Sequence, residues 1–185
     1  MHFNINIEEN SVMLLLPVAG AVTYKDAYGN ESIINTGQLQ VSYLHKGAAI
    51  EFSNAYKYEL INFLQLRIKT DTSKTNIQPE IFSFDLDKNK NKLIRLISAF
   101  TSNTNTAIQL PLTSIGKFTG REEAVYTLKN KESNLFVFVI EGVFEVQGHL
   151  LHARDGLGLW DVSEDKELEA LSNDAIVLMI ELSKE

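Results

Sequence analysis

The chain contains no cysteine, and this absence excludes several kinds of chemistry at once. Without thiols there is no disulfide framework, no thiol nucleophile and no zinc site built on cysteine. Proteins that work in a reducing compartment commonly have this composition. We therefore expect a cytoplasmic protein.

Positive charge is also scarce, since 17 Lys and Arg residues stand against 24 Asp and Glu residues, a net charge of −7. Nucleic-acid-binding domains normally present a basic face, so this balance argues against a nucleic-acid partner. The apolar run at 13–22 is too short to cross a bilayer. It also follows Glu8 and Glu9 rather than the positive residues that a secretory signal requires. We expect no membrane association.

Motifs for phosphate binding and for nucleophilic catalysis are missing as well. The sequence has no G-x-x-x-x-G-K-[ST] loop and no G-x-G-x-x-G turn. It also lacks the G-x-S-x-G nucleophile elbow of the α/β-hydrolases. Nucleotide-dependent and serine-hydrolase functions are therefore disfavoured.

A repeated pattern is the most informative feature that the chain does contain. Residues 12–44 and 135–160 each begin with an apolar run that ends at a glycine, Gly20 or Gly142. An alternating segment, a turn and a second alternating or apolar segment follow in both copies. Such a repeat predicts two similar small β-domains. We expect Trp160, at the end of the second copy, to pack in the core.

Short apolar or alternating segments recur along the chain at roughly 8–12-residue spacing, a pattern typical of a β-sandwich or barrel. Pro17 interrupts one apolar run and predicts an edge strand or a bulge. Segments 92–100 and 164–171 also fit a helix, and we favour a strand for 92–100 because its flanks are rich in turn residues. The sequence thus predicts an all-β protein with two domains, 1–88 and 89–185.

Several of these segments resemble those of the pirin family. Segment 20–30 (Gly-Ala-Val-Thr-Tyr-Lys-Asp-Ala-Tyr-Gly-Asn) resembles the family's Gly-x-x-x-His-x-Asp-Ser-x-Gly-Asn, and segment 155–161 (Asp-Gly-Leu-Gly-Leu-Trp-Asp) is similar to its Asp-Gly-(Leu/Ala)-x-(Ile/Leu)-x-Asp. The resemblance implies a bicupin, in which two cupin-type barrels (double-stranded β-helices, or jelly rolls) pack together. Shorter matches occur at 37–41, 63–68, 136–142 and 177–182.

The family's chemistry depends on one metal in the N-terminal cupin, and some bacterial pirins use it to open quercetin with dioxygen. The metal is held by a His-x-His motif and then by the His and Glu of a His-Ser-Glu motif. Counted back from Gly20, the His-x-His positions fall on Asn6 and Glu8, and the later pair falls on Phe52 and Asn54. Phenylalanine cannot bind a metal, and asparagine is a weak ligand for a transition metal. Because the ligand positions of the family are replaced in this way, we predict no metal, no cofactor and no catalytic residue.

The four histidines do not restore a metal site, and no His-x-His occurs anywhere in the chain. His45 lies in a loop, where a solvated position is the better interpretation, although it could turn toward the mouth of the first barrel. His149 and His152 are three residues apart, so a strand would point them to opposite faces. The equivalent ligand positions of the second domain fall near Leu128 and Asn130, which predicts no metal there either.

Two functions of different classes remain open. The first is a pirin-like protein without metal or dioxygenase activity, whose N-terminal barrel holds a small molecule in a largely apolar pocket with a few hydrogen-bonding groups. The same side chains could instead simply fill the barrel as core. The predicted pocket residues are Asn6, Glu8, Tyr24, Phe52, Asn54 and Gln65.

The second function is a pirin-type, metal-dependent dioxygenase that acts on a flavonol-like substrate at an atypical site around Glu8 and His45. It is less favoured, because non-haem iron sites require several nitrogen and oxygen ligands. We therefore lean against an enzyme. The sequence is compatible with a monomer or a homodimer.

Overall fold

The computed structural model confirms the all-β prediction, since all regular secondary structure in its described residues is β-strand. Within this part of the chain no helix is long and apolar enough to cross a membrane. The chain divides into two compact units, Met1–Phe84 and Asp85–Glu185. The sequence placed the division after Lys88. The residues described are 2–70, 78–97, 110–160 and 165–182.

In its described residues, the N-terminal unit forms two four-stranded antiparallel sheets. One sheet has the strand order β1-β6-β3-β4 and the other β7-β2-β5-β8. The strands are β1 (His2–Asn6), β2 (Ser11–Ala19), β3 (Ala21–Asp26), β4 (Glu31–Asn35), β5 (Gln38–Leu44), β6 (Ala49–Asn54), β7 (Asn62–Lys69) and β8 (Glu80–Ser83).

The part of the C-terminal unit that the structure describes forms a five-stranded sheet, ordered β15-β12-β17-β10-β9, and a four-stranded sheet, ordered β11-β16-β13-β14. Of the two ambiguous segments, residues 92–97 and 166–170 are strands, as favoured for 92–100 and left open for 164–171; residues 98–100 and 164 lie outside the described ranges. The strands are β9 (Lys92–Ile97), β10 (Leu112–Phe118), β11 (Glu123–Tyr126), β12 (Asn134–Glu141), β13 (Val143–Val146), β14 (His149–His152), β15 (Gly156–Leu159), β16 (Lys166–Ala170) and β17 (Ala175–Leu182).

The repeat seen in the sequence is also present in the fold. Gly20 lies between β2 and β3 and Gly142 between β12 and β13, with φ angles of +77° and +78°. Glycine adopts this left-handed backbone conformation without the steric cost of a Cβ atom. Each long strand can therefore turn sharply into the opposite sheet of its own unit.

Two expectations need correction. Pro17 produces the predicted irregularity, a register shift between Pro17 and Ala19 opposite β7, but β2 is a central strand rather than an edge. The proline is accommodated because the pairing of β2 with β5 ends at Leu15, so no ladder bond to that strand requires its missing N–H. Trp160 does not pack in the core and is 71% exposed.

Each unit has its own apolar core, to which both of its sheets contribute. In the N-terminal unit, Met13 and Leu15 from one sheet pack with Val22, Ile34 and Ile50 from the other. Burial of these side chains provides the main favourable free energy of folding. The core of the C-terminal unit consists of Phe118, Tyr126, Leu135, Val137, Val139, Phe144, Val146, Leu151, Leu168, Ala170, Ala175, Val177 and Met179.

Candidate functional site

The interior of the N-terminal unit contains a cluster of aromatic rings centred on Phe52. This residue lies in β6 between Tyr24 of β3 and Phe3 of β1, to which it is directly paired. Its side chain is 0% exposed. The Phe52 ring centroid is 5.2 Å from that of Phe3, 5.7 Å from that of Phe63 and 5.9 Å from that of Tyr24. Aromatic side chains thus occupy the position that the sequence count assigned to a histidine ligand.

Asn6 and Glu8 do not belong to this interior. Alternation along β1 turns Phe3 and Ile5 toward the core, and Ile7 after the strand is buried. Asn6 and Glu8 are exposed, on the opposite side of the chain. Successive strand residues point to opposite faces, so the inward positions of this segment carry apolar side chains.

Asn54 and Gln65 are partly buried and already have hydrogen-bond partners. The Asn54 Nδ2 donates to the carbonyl oxygen of Glu59 at 2.7 Å, and its Oδ1 accepts from the Tyr56 N–H at 2.8 Å. Asn54 therefore holds the loop between β6 and β7. The Gln65 Nε2 lies 3.4 Å from the Met13 Sδ, a weak contact that directs the amide onto the core.

A buried polar chain runs beside the aromatic cluster. The Ser32 hydroxyl donates to Gln40 Oε1 at 2.5 Å, and Gln40 Nε2 donates to the Ser42 Oγ at 2.9 Å. Burial raises the pKa of Tyr24 to about 12. A hydrogen bond with Ser42 lowers this pKa and so offsets part of the effect of burial. A nearby carboxylate, Asp26, raises it further. Tyr24 therefore remains a neutral hydroxyl at physiological pH.

Sequence reasoning missed Gln40 and Ser42 as interior residues. Both are buried, although they alternate with apolar neighbours in β5, a pattern that usually marks a solvent-facing side. In the pairing of β5 with β2, Gln40 stands opposite Leu15 and Ser42 opposite Met13, so both lie on the core-facing side of the sheet, which this pattern does not reveal. The one sequence feature that indicates burial is that a glutamine and a serine two residues apart on a strand can hydrogen-bond to each other.

His45 is not the solvated loop histidine that the sequence favoured. It is partly buried, and its ring meets the Tyr28 ring edge-on at a centroid distance of 6.4 Å. Its Nε2 is buried and has no hydrogen-bond partner among the described residues. The His45 ring therefore packs against the Tyr28 ring. An aromatic ring carbon supplies no ligand to a metal, so this contact does not add to a metal site.

The residues present do not fit the metal site of the pirin family. Within the described ranges, no three His, Cys, Asp or Glu side chains are grouped so that they could hold a metal ion. At the position counted as a ligand, Phe52 offers a hydrocarbon ring, and Asn54 uses its amide to hold a loop. A transition metal would need nitrogen or oxygen donors that converge on one point.

Residues 105–182 match the sequence profile of the quercetinase C-terminal cupin domain family. A comparison with curated proteins finds no match.

Several solved structures of bacterial proteins have a similar fold. The YhhW protein of Escherichia coli has a TM-score of 0.79 and 19% identity, covering 100% of this chain and 76% of that one. The YhaK protein of Escherichia coli has a TM-score of 0.79 and 16% identity, covering 99% and 83%. A quercetin 2,3-dioxygenase from Acinetobacter baumannii has a TM-score of 0.73 and 18% identity, covering 98% and 61%. Identities at this level establish a shared fold rather than a shared activity.

Proposed function

We propose, from the premise that this chain is a pirin-like cupin protein, that its N-terminal barrel works without a metal and does not oxidise flavonols. The proposal concerns this chain's own side chains. Pirin YhhW of Escherichia coli has been crystallised with nickel(II), so the fold itself is compatible with a bound metal. The difference must therefore lie in the residues that line the barrel.

The observation that carries this proposal is the complete burial of Phe52 among three other aromatic rings. A ring in this position supplies no lone pair to a metal and occupies the volume that a ligand sphere would need. The packing also stabilises the aromatic cluster itself, because each ring buries a large hydrocarbon surface. A metal would have to displace this cluster.

The alternative, a dioxygenase with an atypical site at Glu8 and His45, has less support. Glu8 is exposed, and the His45 ring packs edge-on against Tyr28. Two donors would in any case be fewer than non-haem iron sites ordinarily use.

Binding of a small molecule at the same barrel has one specific observation in its favour. Phe3 and Phe63 are only partly buried, and their rings stack at 6.0 Å with an interplanar angle of 4°. The partly buried Gln65 lies two residues along β7 from Phe63 and faces the same side. A flat aromatic molecule could therefore rest on the two rings, with the amide as a hydrogen-bonding contact for one of its polar groups. Cytoplasmic location and a monomeric or homodimeric state stay predictions.

Metal analysis and turnover would test the metal-free proposal. The purified protein is incubated with nickel(II), iron(II), copper(II) or manganese(II), desalted and analysed for bound metal, with the nickel-binding pirin YhhW as the positive control. We expect far less than one metal per chain and no consumption of quercetin. Near-stoichiometric metal, or quercetin loss that depends on the added metal, would contradict the proposal.

Binding without turnover is tested separately by titrating quercetin into isotope-labelled protein. Signals of Phe3 and Phe63 should shift in a saturable manner, and the shifts should be lost in Phe63→Ala. A matched control is Tyr58→Ala, because Tyr58 lies in the same unit and is largely exposed. Scattered or absent shifts would mean that the rings serve only as core.

A further inference from the structure

One side of the N-terminal unit is bounded by two edge strands, β1 and β7. Each is the outermost strand of its own sheet, and in the described residues the two strands do not pair with each other. Side chains connect them at two points. The Phe3 and Phe63 rings stack at 6.0 Å, and the Lys69 ammonium lies 3.3 Å from the Glu9 carboxylate. We call the stretch between these two contacts the open edge.

The pairing of β7 with β2 shows which side chains β7 turns toward this open edge. Alternate residues of the strand share one face, and on this side they are Phe63, Gln65, Arg67 and Lys69. The face is the core-facing one, because Arg67 stands directly opposite Met13, a fully buried core residue. Arg67 is nevertheless exposed. A charged side chain thus lies on the inner side of the sheet, where the open edge admits solvent.

Arg67 has no counter-ion at this edge. Among the residues that the structure describes, its guanidinium forms no ion pair and no hydrogen bond. The neighbouring Lys69 and Glu9 neutralise each other. Glu8 is exposed, on the opposite side of the chain from the buried Ile7. One positive charge therefore remains at the open edge, and a single carboxylate would complement it.

The other side chains of the open edge suit a flat aromatic ligand. The Phe3 and Phe63 rings are only partly buried and are nearly parallel, with an interplanar angle of 4°. Ile5, the next inward residue of β1, is also partly buried and packs on the same core. Arg67 follows Phe63 by four residues, about 13 Å between Cα atoms, and its long side chain shortens the distance that a ligand must span. Gln65 lies midway between them.

We propose that the open edge binds an aromatic monocarboxylate, with its ring against Phe3 and Phe63 and its carboxylate paired with Arg67. This inference rests on the proposed function, because it takes the two rings as a binding surface, and it adds the chemical class of the ligand. A guanidinium offers two parallel N–H donors, which match the two oxygens of a carboxylate. The competing role for Arg67 is protection of an edge strand against pairing with another chain, which charged side chains commonly provide.

Two probes with the same flat rings test the proposal, 2-naphthoate and its neutral counterpart 2-naphthalenemethanol. Binding to the full-length chain is measured by calorimetry and by NMR titration. Arg67→Met removes the charge, and Arg67→Lys keeps the charge without the planar fork. Arg67 is exposed, so both variants should fold. Lys25→Met is the matched control, because Lys25 is an exposed cation on β3 of the same unit.

We expect the wild type to bind 2-naphthoate at least about tenfold more tightly than 2-naphthalenemethanol. Arg67→Met should lose this preference while its affinity for the alcohol stays the same, and Arg67→Lys should keep part of it. Lys25→Met should keep the full preference. The proposal is overturned if the wild type binds the two probes equally, or if Arg67→Met keeps the preference, in which case Arg67 only protects the edge.

The pair of probes also separates this proposal from the function on which it rests. Phe63→Ala should weaken the binding of both probes, because both need the ring surface. Binding of the alcohol without a preference for 2-naphthoate would overturn the carboxylate assignment alone, and the rings would still be a binding surface. Binding of neither probe would overturn both proposals, and the rings would then serve only as core.

Discussion

Phe3 and Phe52 stand directly opposite each other on β1 and β6, with their ring centroids 5.2 Å apart. Cross-strand aromatic pairs of this kind stabilise a sheet beyond the area that they bury. Here the pair also links two segments that, in the family resemblance, carry metal ligands. At this place the resemblance led us to expect a metal ligand, whereas the structure has an aromatic pair that packs with the core.

Replacing Phe52 by alanine should destabilise the N-terminal unit strongly. Removal of a fully buried ring leaves a cavity, and such substitutions cost about 3–5 kcal/mol. Urea unfolding followed by circular dichroism would measure the loss. Tyr58→Ala is the control, since Tyr58 is 86% exposed and surface changes usually stay within about 0.5 kcal/mol. Similar losses in the two variants would contradict the packing role of Phe52.

The fold could be predicted from the sequence because its signals are local and occur twice. Gly20 and Gly142 end their apolar runs in the same way, and both adopt a positive φ. Glycine-bounded strands with turns between them leave few alternatives to a pair of β-domains. The exposed position of Trp160 could not be predicted, because a residue at the end of a strand has no alternation to assign its face.

The candidate site was harder to predict, because it depends on register. A shift of one residue moves a side chain to the other face of a strand, and the count from Gly20 placed the ligands on Asn6 and Glu8 rather than on the inward-facing Ile5 and Ile7.

Substitution of Gly142 by alanine should be far more harmful than substitution of Gly148. Both have a positive φ, +78° and +75°, so each loses about 1–2 kcal/mol from backbone strain. An added Cβ at Gly142 would also lie 2.7 Å from the Cβ of Ala175, whereas at Gly148 it meets nothing within 4 Å. The extra overpacking costs about 1–3 kcal/mol. Equal unfolding midpoints for the two variants would show that the contact at Gly142 relaxes freely.

Tyr24 should make the stability of the protein fall at alkaline pH. Its folded-state pKa is about 12 against an ordinary 10.0, so the unfolded chain ionises first. A group whose pKa is raised on folding contributes stability that is complete below pH 10 and is lost as the pH rises toward 12. In Tyr24→Phe the fall between these values should be shallower, as measured by urea unfolding across the pH range. Tyr28→Phe, at an exposed tyrosine, should keep the wild-type slope, and an unchanged slope in Tyr24→Phe would refute the assignment.

Glu181→Gln should loosen the loop that follows β11. The wild-type carboxylate accepts two backbone N–H groups, from Lys129 and Asn130, with its two oxygens. An amide has only one oxygen, so its NH₂ group would face a donor and leave a partly buried N–H unsatisfied, at a cost of about 1 kcal/mol. Amide hydrogen exchange should become faster at Lys129 and Asn130, and the unfolding free energy should fall. Glu167→Gln is the matched control, because Glu167 is exposed on β16 in the same unit. If exchange at the two amides stays as slow as in this control, the carboxylate does not hold the loop.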